Sequence, residues 1–242
     1  GSVAWKEWRW VARDGGVTEA VDSGVSKVTG LPPVFGEFLS VLPSSVRLHD
    51  GSWLAVAYGA TQADHAAGSG NRTCVPMFHW QAHFCVSVFV LASVDEGISW
   101  RYRSSLSWHP SMGTSVGGPS EAAVSLLPDG RVLAVYRVEE HKNLWQSVSS
   151  DGGESWGAPR QINAWSVFPQ LTTTANGVTV LVSGRPGLGL WLLEDASAGR
   201  WQLYNLAKEH NDACQNQCGV NSTYASSLET SRTHAYGSVT TR

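Results

Sequence analysis

One octapeptide occurs twice in this chain, and it constrains the fold more than any other feature of the sequence. Residues 93–100 and 149–156 share the pattern Ser-x-Asp-x-Gly-x-Ser-Trp. Asp can accept hydrogen bonds from the backbone N–H groups that follow it, Gly supplies a positive φ, and Trp buries a large ring beneath the turn. The pattern therefore predicts a structural hairpin turn. Weaker copies lie at 12–18 and 195–201.

A second element recurs in step with this turn. It is an Asp-Gly or Asn-Gly pair that joins two strands, the second strongly apolar, and it occurs at Asp50-Gly51, Asp129-Gly130 and Asn176-Gly177. Such a pair between apolar runs is the clearest local signal of a β-hairpin. Each copy is followed by the octapeptide or its weaker form. The repeating unit thus has the roughly 40–50 residues of a four-stranded propeller blade.

These repeats predict an all-β chain, with residues 1–242 forming a single, partial β-propeller domain. We expect three nearly whole blades, a remnant before them and the opening of another blade from Tyr224 onward. An insertion from about Thr61 to Cys85 lengthens the first copy. Because propellers typically close with 4–8 blades, the ring is expected to be incomplete and the chain to be a fragment.

Charge and hydrophobicity narrow the classes of partner. The formal net charge is −3, and the 17 Lys and Arg residues are scattered, so the chain lacks the basic surface that a nucleic acid requires. No nucleic-acid partner is expected. No apolar run reaches the length of about 18 residues that a membrane span needs, and no membrane span is expected either.

The cysteines indicate an oxidising compartment. They form two local pairs, Cys74 with Cys85 and Cys214 with Cys218, and the sequons at Asn71 and Asn221 lie beside them. Disulfides together with N-glycosylation are typical of a secreted or cell-surface protein.

A zinc site is the alternative for the first pair. Cys74, His79, His83 and Cys85 have the side-chain types that bind zinc. Zinc would need reduced thiols, so the disulfide interpretation is preferred and no metal or cofactor is predicted.

The two octapeptides, together with segments 120–137 and 183–187, resemble the sialidase (exo-neuraminidase) superfamily, in which the octapeptide is called the Asp-box. The resemblance extends roughly from Leu39 to Leu228. It implies a six-bladed propeller with a site on its central axis. The Asp-boxes would lie on the periphery, outside catalysis.

The resemblance also implies a carboxylate-binding site. In this family a Glu precedes an Asp-Gly turn and an Arg ends the apolar strand after it, and Glu121 and Arg137 match both features. Arg185 follows the equivalent strand of the next blade and resembles another arginine of the family's cluster. The planar fork of arginine grips a carboxylate through two parallel hydrogen bonds. The alternative is an exposed Glu at a strand start and an Arg that caps a strand end.

Tyr224 resembles the family's nucleophile, and Glu121 would then draw its phenol proton. Tyrosine suits an anionic sugar because a carboxylate nucleophile would repel it. By position in the loop after the first apolar strand, Asp64 takes the role of general acid. The alternatives are a core tyrosine and an ordinary solvated aspartate.

One position departs from the family pattern. Sialidases carry an Arg-Ile-Pro motif one strand before the first Asp-Gly turn, and Val41-Leu42-Pro43 stands there instead, so the first clamp arginine is missing. Arg47 lies nearby, with no indication that it substitutes. The predicted function is therefore a retaining hydrolase of terminal sialic acid or another acidic sugar. The alternative is a catalytically impaired propeller that binds acidic glycans as a lectin does.

Overall fold

The computed structural model describes residues 2–12, 18–32, 34–61, 86–113, 117–138, 143–165, 167–184, 188–197, 199–206 and 208–209. For 2–12, 18–26, 34–41, Pro43 and Thr61 only the backbone is described. The strands are β1 (Ser2–Ala12), β2 (Thr18–Thr29), β3 (Val34–Arg47), β4 (Trp53–Thr61), β5 (Ser87–Ser93), β6 (Ser99–Leu106), β7 (Ser120–Leu126), β8 (Val132–Arg137), β9 (Asn143–Ser149), β10 (Arg160–Trp165), β11 (Val167–Thr173), β12 (Thr179–Gly184), β13 (Leu188–Asp195) and β14 (Arg200–Asn205). A short 3-10 helix spans Pro110–Met112.

The strands form three sheets, and the all-β prediction is confirmed. The first sheet has the order β1-β2-β6-β5-β4-β3, the second β10-β9-β8-β7 and the third β11-β12-β13-β14. In each sheet, four consecutive strands pair antiparallel with their chain neighbours, as in a propeller blade. The six-bladed ring stays a prediction. Within the described ranges, no helix is long and apolar enough to span a membrane.

The N-terminal hairpin differs from the expected blade remnant. Strands β1 and β2 pair with each other, and β2 then pairs parallel with β6 through Lys27–Thr29 and Ser99–Arg101. The hairpin therefore extends the first sheet. This pairing satisfies backbone groups at the start of β6 that would otherwise lie at a sheet edge. Val28 and Leu31 are buried in the same cluster as Trp100 of that sheet.

The three sheets stack face to face, and the second is buried on both sides. All six residues of β8 are buried. Val132, Ala134 and Tyr136 pack into a cluster shared with the first sheet, whereas Leu133 and Val135 pack into one shared with the third. The alternation of side chains along a strand thus fixes which neighbour each residue contacts.

The first strands of the three four-stranded units, β3, β7 and β11, lie side by side. The Val124 N–H in β7 donates to Ser44 Oγ in β3 at 2.9 Å, and Ser125 Oγ lies 2.9 Å from Thr173 Oγ1 in β11. The turns that end these strands lie together, because His49 approaches Gly130. Strands β3, β7 and β11 therefore begin at the edge of the sheets that lies opposite these turns. Strands β4, β8 and β12 end at that same edge. We call this the entry edge.

Both Asp-boxes form the predicted turn. In the first, Asp95 Oδ1 accepts the Ser99 N–H at 2.9 Å, and Asp95 Oδ2 accepts the Ser99 hydroxyl at 2.6 Å. Ser93 Oγ accepts the Gly97 N–H at 2.9 Å. The second box repeats this network with Ser149, Asp151, Gly153 and Ser155.

The turn of the second box also contacts the first sheet. Arg103 Nη1 donates to Gly152 O at 2.7 Å, and Trp156 Nε1 donates to Ser104 Oγ at 3.1 Å. The weaker copy at 195–201 contacts the second sheet in the same manner, because Gln146 Nε2 donates to Ala196 O at 2.7 Å. A turn in one sheet therefore fastens it to the sheet before it.

The Asp-box aspartates make stability dependent on pH. The Ser155 hydroxyl, and then the Ser155 N–H and the Ser149 hydroxyl, lower the pKa of Asp151 to about 2. A carboxyl whose pKa is lowered on folding stabilises the fold above its unfolded pKa, and this contribution is lost as pH falls through the folded pKa. We expect Asp151→Asn to lower the free energy of unfolding at pH 6, with the difference from wild type shrinking between about pH 4 and pH 2.

Chemical denaturation at a series of pH values measures this difference in the free energy of unfolding. Glu194→Gln, a change at an exposed carboxylate outside the boxes, is the control and is expected to follow wild type. A constant difference between Asp151→Asn and wild type from pH 6 to pH 2 would contradict the assignment.

Candidate functional site

Glu121 and Arg137, two of the predicted site residues, contact each other at the entry edge. Glu121 is the second residue of β7 and Arg137 the last of β8. Arg137 Nη1 donates to Glu121 Oε1 at 2.8 Å. The β7–β8 pairing shifts register between Ser120 and Ala122, and Glu121 has φ 29°. A bulge of this kind redirects a side chain out of the normal alternation, and here it accompanies the contact between Glu121 and Arg137.

The third sheet supplies a further contact to the same carboxylate. The backbone N–H of Phe168 donates to Glu121 Oε2 at 3.0 Å. Phe168 is the second residue of β11, where the pairing with β12 shifts register between Val167 and Gln170, and its φ is 51°. Positive φ at a residue other than glycine costs about 1–3 kcal/mol and persists where its surroundings enforce it.

The contact between Glu121 and Arg137 is largely shielded from solvent. The exposed fraction is 10% for the Arg137 side chain and 20% for the Glu121 side chain. Two opposite charges at this burial depend on each other, because either one alone would be left poorly solvated. Glu121 is therefore not exposed as the structural alternative expected, and the functional roles of Glu121 and Arg137 stay predictions.

No residue pattern predicted the contribution of Phe168. Its contact uses a backbone N–H, which every residue except proline has. Its left-handed conformation is uncommon for a bulky side chain. Only the positions of neighbouring sheets reveal it.

The other predicted site residues, Asp64, Arg185 and Tyr224, lie outside the described residues, and their roles stay predictions. Strand β4 ends at Thr61, three residues before Asp64, and β12 ends at Gly184, directly before Arg185. Both strands end at the entry edge.

The predicted disulfides, zinc alternative and sequons also fall outside the described residues. The residues concerned are Cys74, Cys85, Cys214, Cys218, His79, His83, Asn71 and Asn221. Within the part of the chain that the structure describes, no group of three or more His, Cys, Asp or Glu residues could hold a metal ion.

Arg47 does not replace the missing clamp arginine. It ends β3 at the turn side, away from the entry edge, and its Nη2 lies 2.8 Å from Glu96 Oε1 in the first Asp-box. Val41 lies in β3 three residues before Ser44, and Glu121 lies three residues before Val124, which contacts Ser44. Val41 thus lies on β3, which neighbours β7, the strand that carries Glu121.

Tyr136, next to Arg137, is not a candidate nucleophile. Its side chain is fully buried, and its hydroxyl lies 2.9 Å from Ser147 Oγ. Burial raises the pKa of this phenol, which opposes formation of the phenolate.

The family model described as BNR repeat-like domain matches residues 43–236, which is most of the chain. The chain belongs to the BNR repeat-like family. No curated protein sequence matches this BNR repeat-like protein. The match includes both Asp-boxes and the contact between Glu121 and Arg137.

Solved structures are similar to this BNR repeat-like protein at low identity. A protein of unknown function from Dyadobacter fermentans DSM 18053 is 17% identical, with a TM-score of 0.55; the match covers 85% of this chain and 60% of that one. This similarity shows a shared fold. The chain thus spans less than two thirds of that relative.

Two glycosidases are less similar. The NanB sialidase from Streptococcus pneumoniae is 16% identical over 85% of this chain and 35% of its own, with a TM-score of 0.47. An alpha-L-arabinanase from Penicillium chrysogenum is 18% identical over 83% and 55%, also with a TM-score of 0.47. Scores this low support no conclusion about function.

Proposed function

We propose that this protein is a retaining glycoside hydrolase that removes terminal sialic acid, or a related acidic sugar, from glycans. The observation that carries the proposal is the contact between Arg137 Nη1 and Glu121 Oε1 at the entry edge. It places a permanently charged anion-binding group beside a carboxylate that can accept a proton. The Phe168 N–H bond to the same carboxylate fixes its position.

The proposed reaction has two steps. The Tyr224 oxygen attacks the anomeric carbon while Glu121 takes the phenol proton, and Asp64 protonates the leaving glycosidic oxygen. Water then displaces Tyr224 from the sugar, with Asp64 now accepting the proton of that water and Glu121 returning its proton to Tyr224. Arg137 and Arg185 bind the carboxylate of the sugar. The mechanism uses no metal or cofactor.

A glycan-binding propeller without catalytic activity is the second candidate, and Val41 favours it. A valine side chain offers no hydrogen-bond donor, and Val41 stands at the sequence position where the family's first clamp arginine is expected. Loss of one charged partner of a carboxylate clamp costs roughly 2–5 kcal/mol of binding. Such a loss could impair catalysis or change the preferred acidic sugar.

Both candidates imply acidic glycans as partners, and we also propose a secreted or cell-surface location. The latter rests on the sequons at Asn71 and Asn221 and on the two cysteine pairs.

Hydrolysis of a fluorogenic sialoside by the full-length protein tests the proposal, with a fluorogenic glucuronide as a second acidic substrate. We expect turnover of one of these by wild type and its loss in Tyr224→Phe, since this change removes the nucleophilic oxygen. Calorimetry with a non-hydrolysable sialoside measures binding independently. Tyr204→Phe, at an exposed tyrosine of β14, is the matched control and is expected to retain turnover.

The outcomes separate the two candidates. Turnover that depends on Tyr224 supports the hydrolase. Binding of the sialoside without turnover of either substrate overturns the hydrolase and supports the glycan-binding protein. If neither binding nor turnover is observed, both candidates are overturned.

A further inference from the structure

Two backbone irregularities meet in a single hydrogen bond at the entry edge. Glu121 and Phe168 both have positive φ, both lie at shifts of strand register, and the Phe168 N–H donates to Glu121 Oε2 at 3.0 Å. Among the described residues, Glu96 is the other non-glycine residue with positive φ, and it lies within the tight turn of the first Asp-box. A turn accounts for Glu96, whereas Glu121 and Phe168 lie in strands.

The Phe168 bond holds the carboxylate oxygen that Arg137 does not contact. One oxygen of Glu121 is held by Arg137 from the same sheet and the other by Phe168 from the next sheet. Bonds from both sides restrict rotation of the carboxylate, and hydrogen bonds to a charged acceptor are stronger than those between neutral groups. The third sheet thus determines the orientation of a side chain that the second sheet carries.

The conformation of Phe168 is tied to this bond. Left-handed φ is unfavourable for a large side chain, and bulges beside functional sites commonly reorient the groups that act there. The ring of Phe168 is partly buried against the cluster between the first two sheets. The ring therefore packs on one side of the residue while the N–H faces Glu121.

We infer that Phe168 is a positioning residue, whose left-handed backbone conformation directs its N–H to Glu121 and holds that carboxylate ready to accept a proton. This inference rests on the proposed function, in which Glu121 is the base. Phe168 acts through Glu121 and not through its ring. The relevant property of residue 168 is thus its backbone conformation.

Four substitutions at Phe168 distinguish the effect of its backbone conformation from the effect of its ring. Glycine and asparagine adopt positive φ readily, whereas valine and leucine preserve apolar packing but resist it. We expect Phe168→Gly and Phe168→Asn to keep kcat within about threefold of wild type. Phe168→Val and Phe168→Leu are expected to lower kcat about tenfold or more with KM little changed, because a small misplacement of a catalytic group is costly. If the ring were what mattered, the order of the variants would be reversed, and that result would overturn the inference.

A second measurement does not depend on turnover. Hydrogen exchange at the Phe168 amide, followed by NMR, is expected to accelerate about tenfold or more in Glu121→Ala, since the acceptor is removed. The amide of Leu171, which lies further along β11, serves as the internal control. Wild-type protein without turnover but with this exchange response would overturn the proposed hydrolase while supporting the positioning contact. Unchanged exchange at Phe168 would overturn the positioning contact itself.

Discussion

Arg137→Met is expected to lower kcat/KM for the acidic sugar roughly 100-fold or more and to destabilise the fold by about 2 kcal/mol. The first effect follows from loss of the guanidinium that binds the sugar carboxylate, since truncating one partner of a buried charge pair costs roughly 2–5 kcal/mol, and 1.4 kcal/mol is tenfold. The second follows from the position of Glu121, whose shielded carboxylate would lose its cation. Enzyme kinetics and urea denaturation measure the two effects.

Two further variants make this test specific. Arg131→Met removes a partly exposed arginine that is paired with Asp129 at the turn before β8, and it is expected to change stability by less than about 0.5 kcal/mol with no change in activity. In the double variant Arg137→Met with Glu121→Gln, the charge of Glu121 is removed together with its cation. Stability is expected to recover while activity stays low. Arg137→Met with wild-type kinetics would exclude Arg137 from the carboxylate site.

Gly189→Ala is expected to destabilise the third sheet by about 3 kcal/mol, because a methyl group at this position overlaps a buried ring. A Cβ at Gly189 would overlap Cη2 of Trp191. Trp191 is 2% exposed and packs between the second and third sheets, so the ring cannot move aside without disturbing that core. For a chain of this size, the midpoint of thermal unfolding is expected to fall by roughly 6–12 °C.

Gly157→Ala is the matched control. Among the described residues, a Cβ there would meet Val148 O alone, at 3.3 Å, and a cost below about 1 kcal/mol is expected. Trp191→Leu removes the ring atoms that cause the overlap, and Trp191 Nε1 has no hydrogen-bond partner among the described residues. The cost of Gly189→Ala in a Trp191→Leu background is therefore expected to be smaller than in wild type. Equal costs in the two backgrounds would show that the overlap is not the cause.

The repeats made the arrangement of strands predictable. An Asp-Gly or Asn-Gly turn and an Asp-box each specify a hairpin through local chemistry, and Asp50, Asp95 and Asp151 accept the hydrogen bonds that such turns require. The three four-stranded units follow from them. The six-bladed ring and the single-domain extent of residues 1–242 stay predictions.

The attachment of the N-terminal hairpin was not predictable in this way. Its parallel pairing with β6 joins Val28 to Trp100, which are far apart in sequence and share no local motif. A strand edge accepts any strand that reaches it with suitable geometry. Local turn chemistry therefore contains no information about this partner.

The candidate site shows the same division between local and distant determinants. Glu121 and Arg137 were predicted from residue type and position, and the structure places them in contact. The contact of the Phe168 N–H was not predicted, because nearly every residue type carries a backbone N–H and the residue type therefore gives no indication of it. Whether Asp64, Arg185 and Tyr224 complete the site stays a prediction.

The contacts between each Asp-box-like turn and the sheet before it also bear on how the protein unfolds. In many repeat proteins, stability divides into the intrinsic contribution of each repeat and the interface between neighbours. Here Arg103 and Gln146 bond to carbonyls in the turns of the following sheets, so part of each turn's hydrogen bonding belongs to an interface. Melting of one sheet then leaves polar groups of the next without partners. Such coupling favours cooperative loss of neighbouring sheets over their independent unravelling.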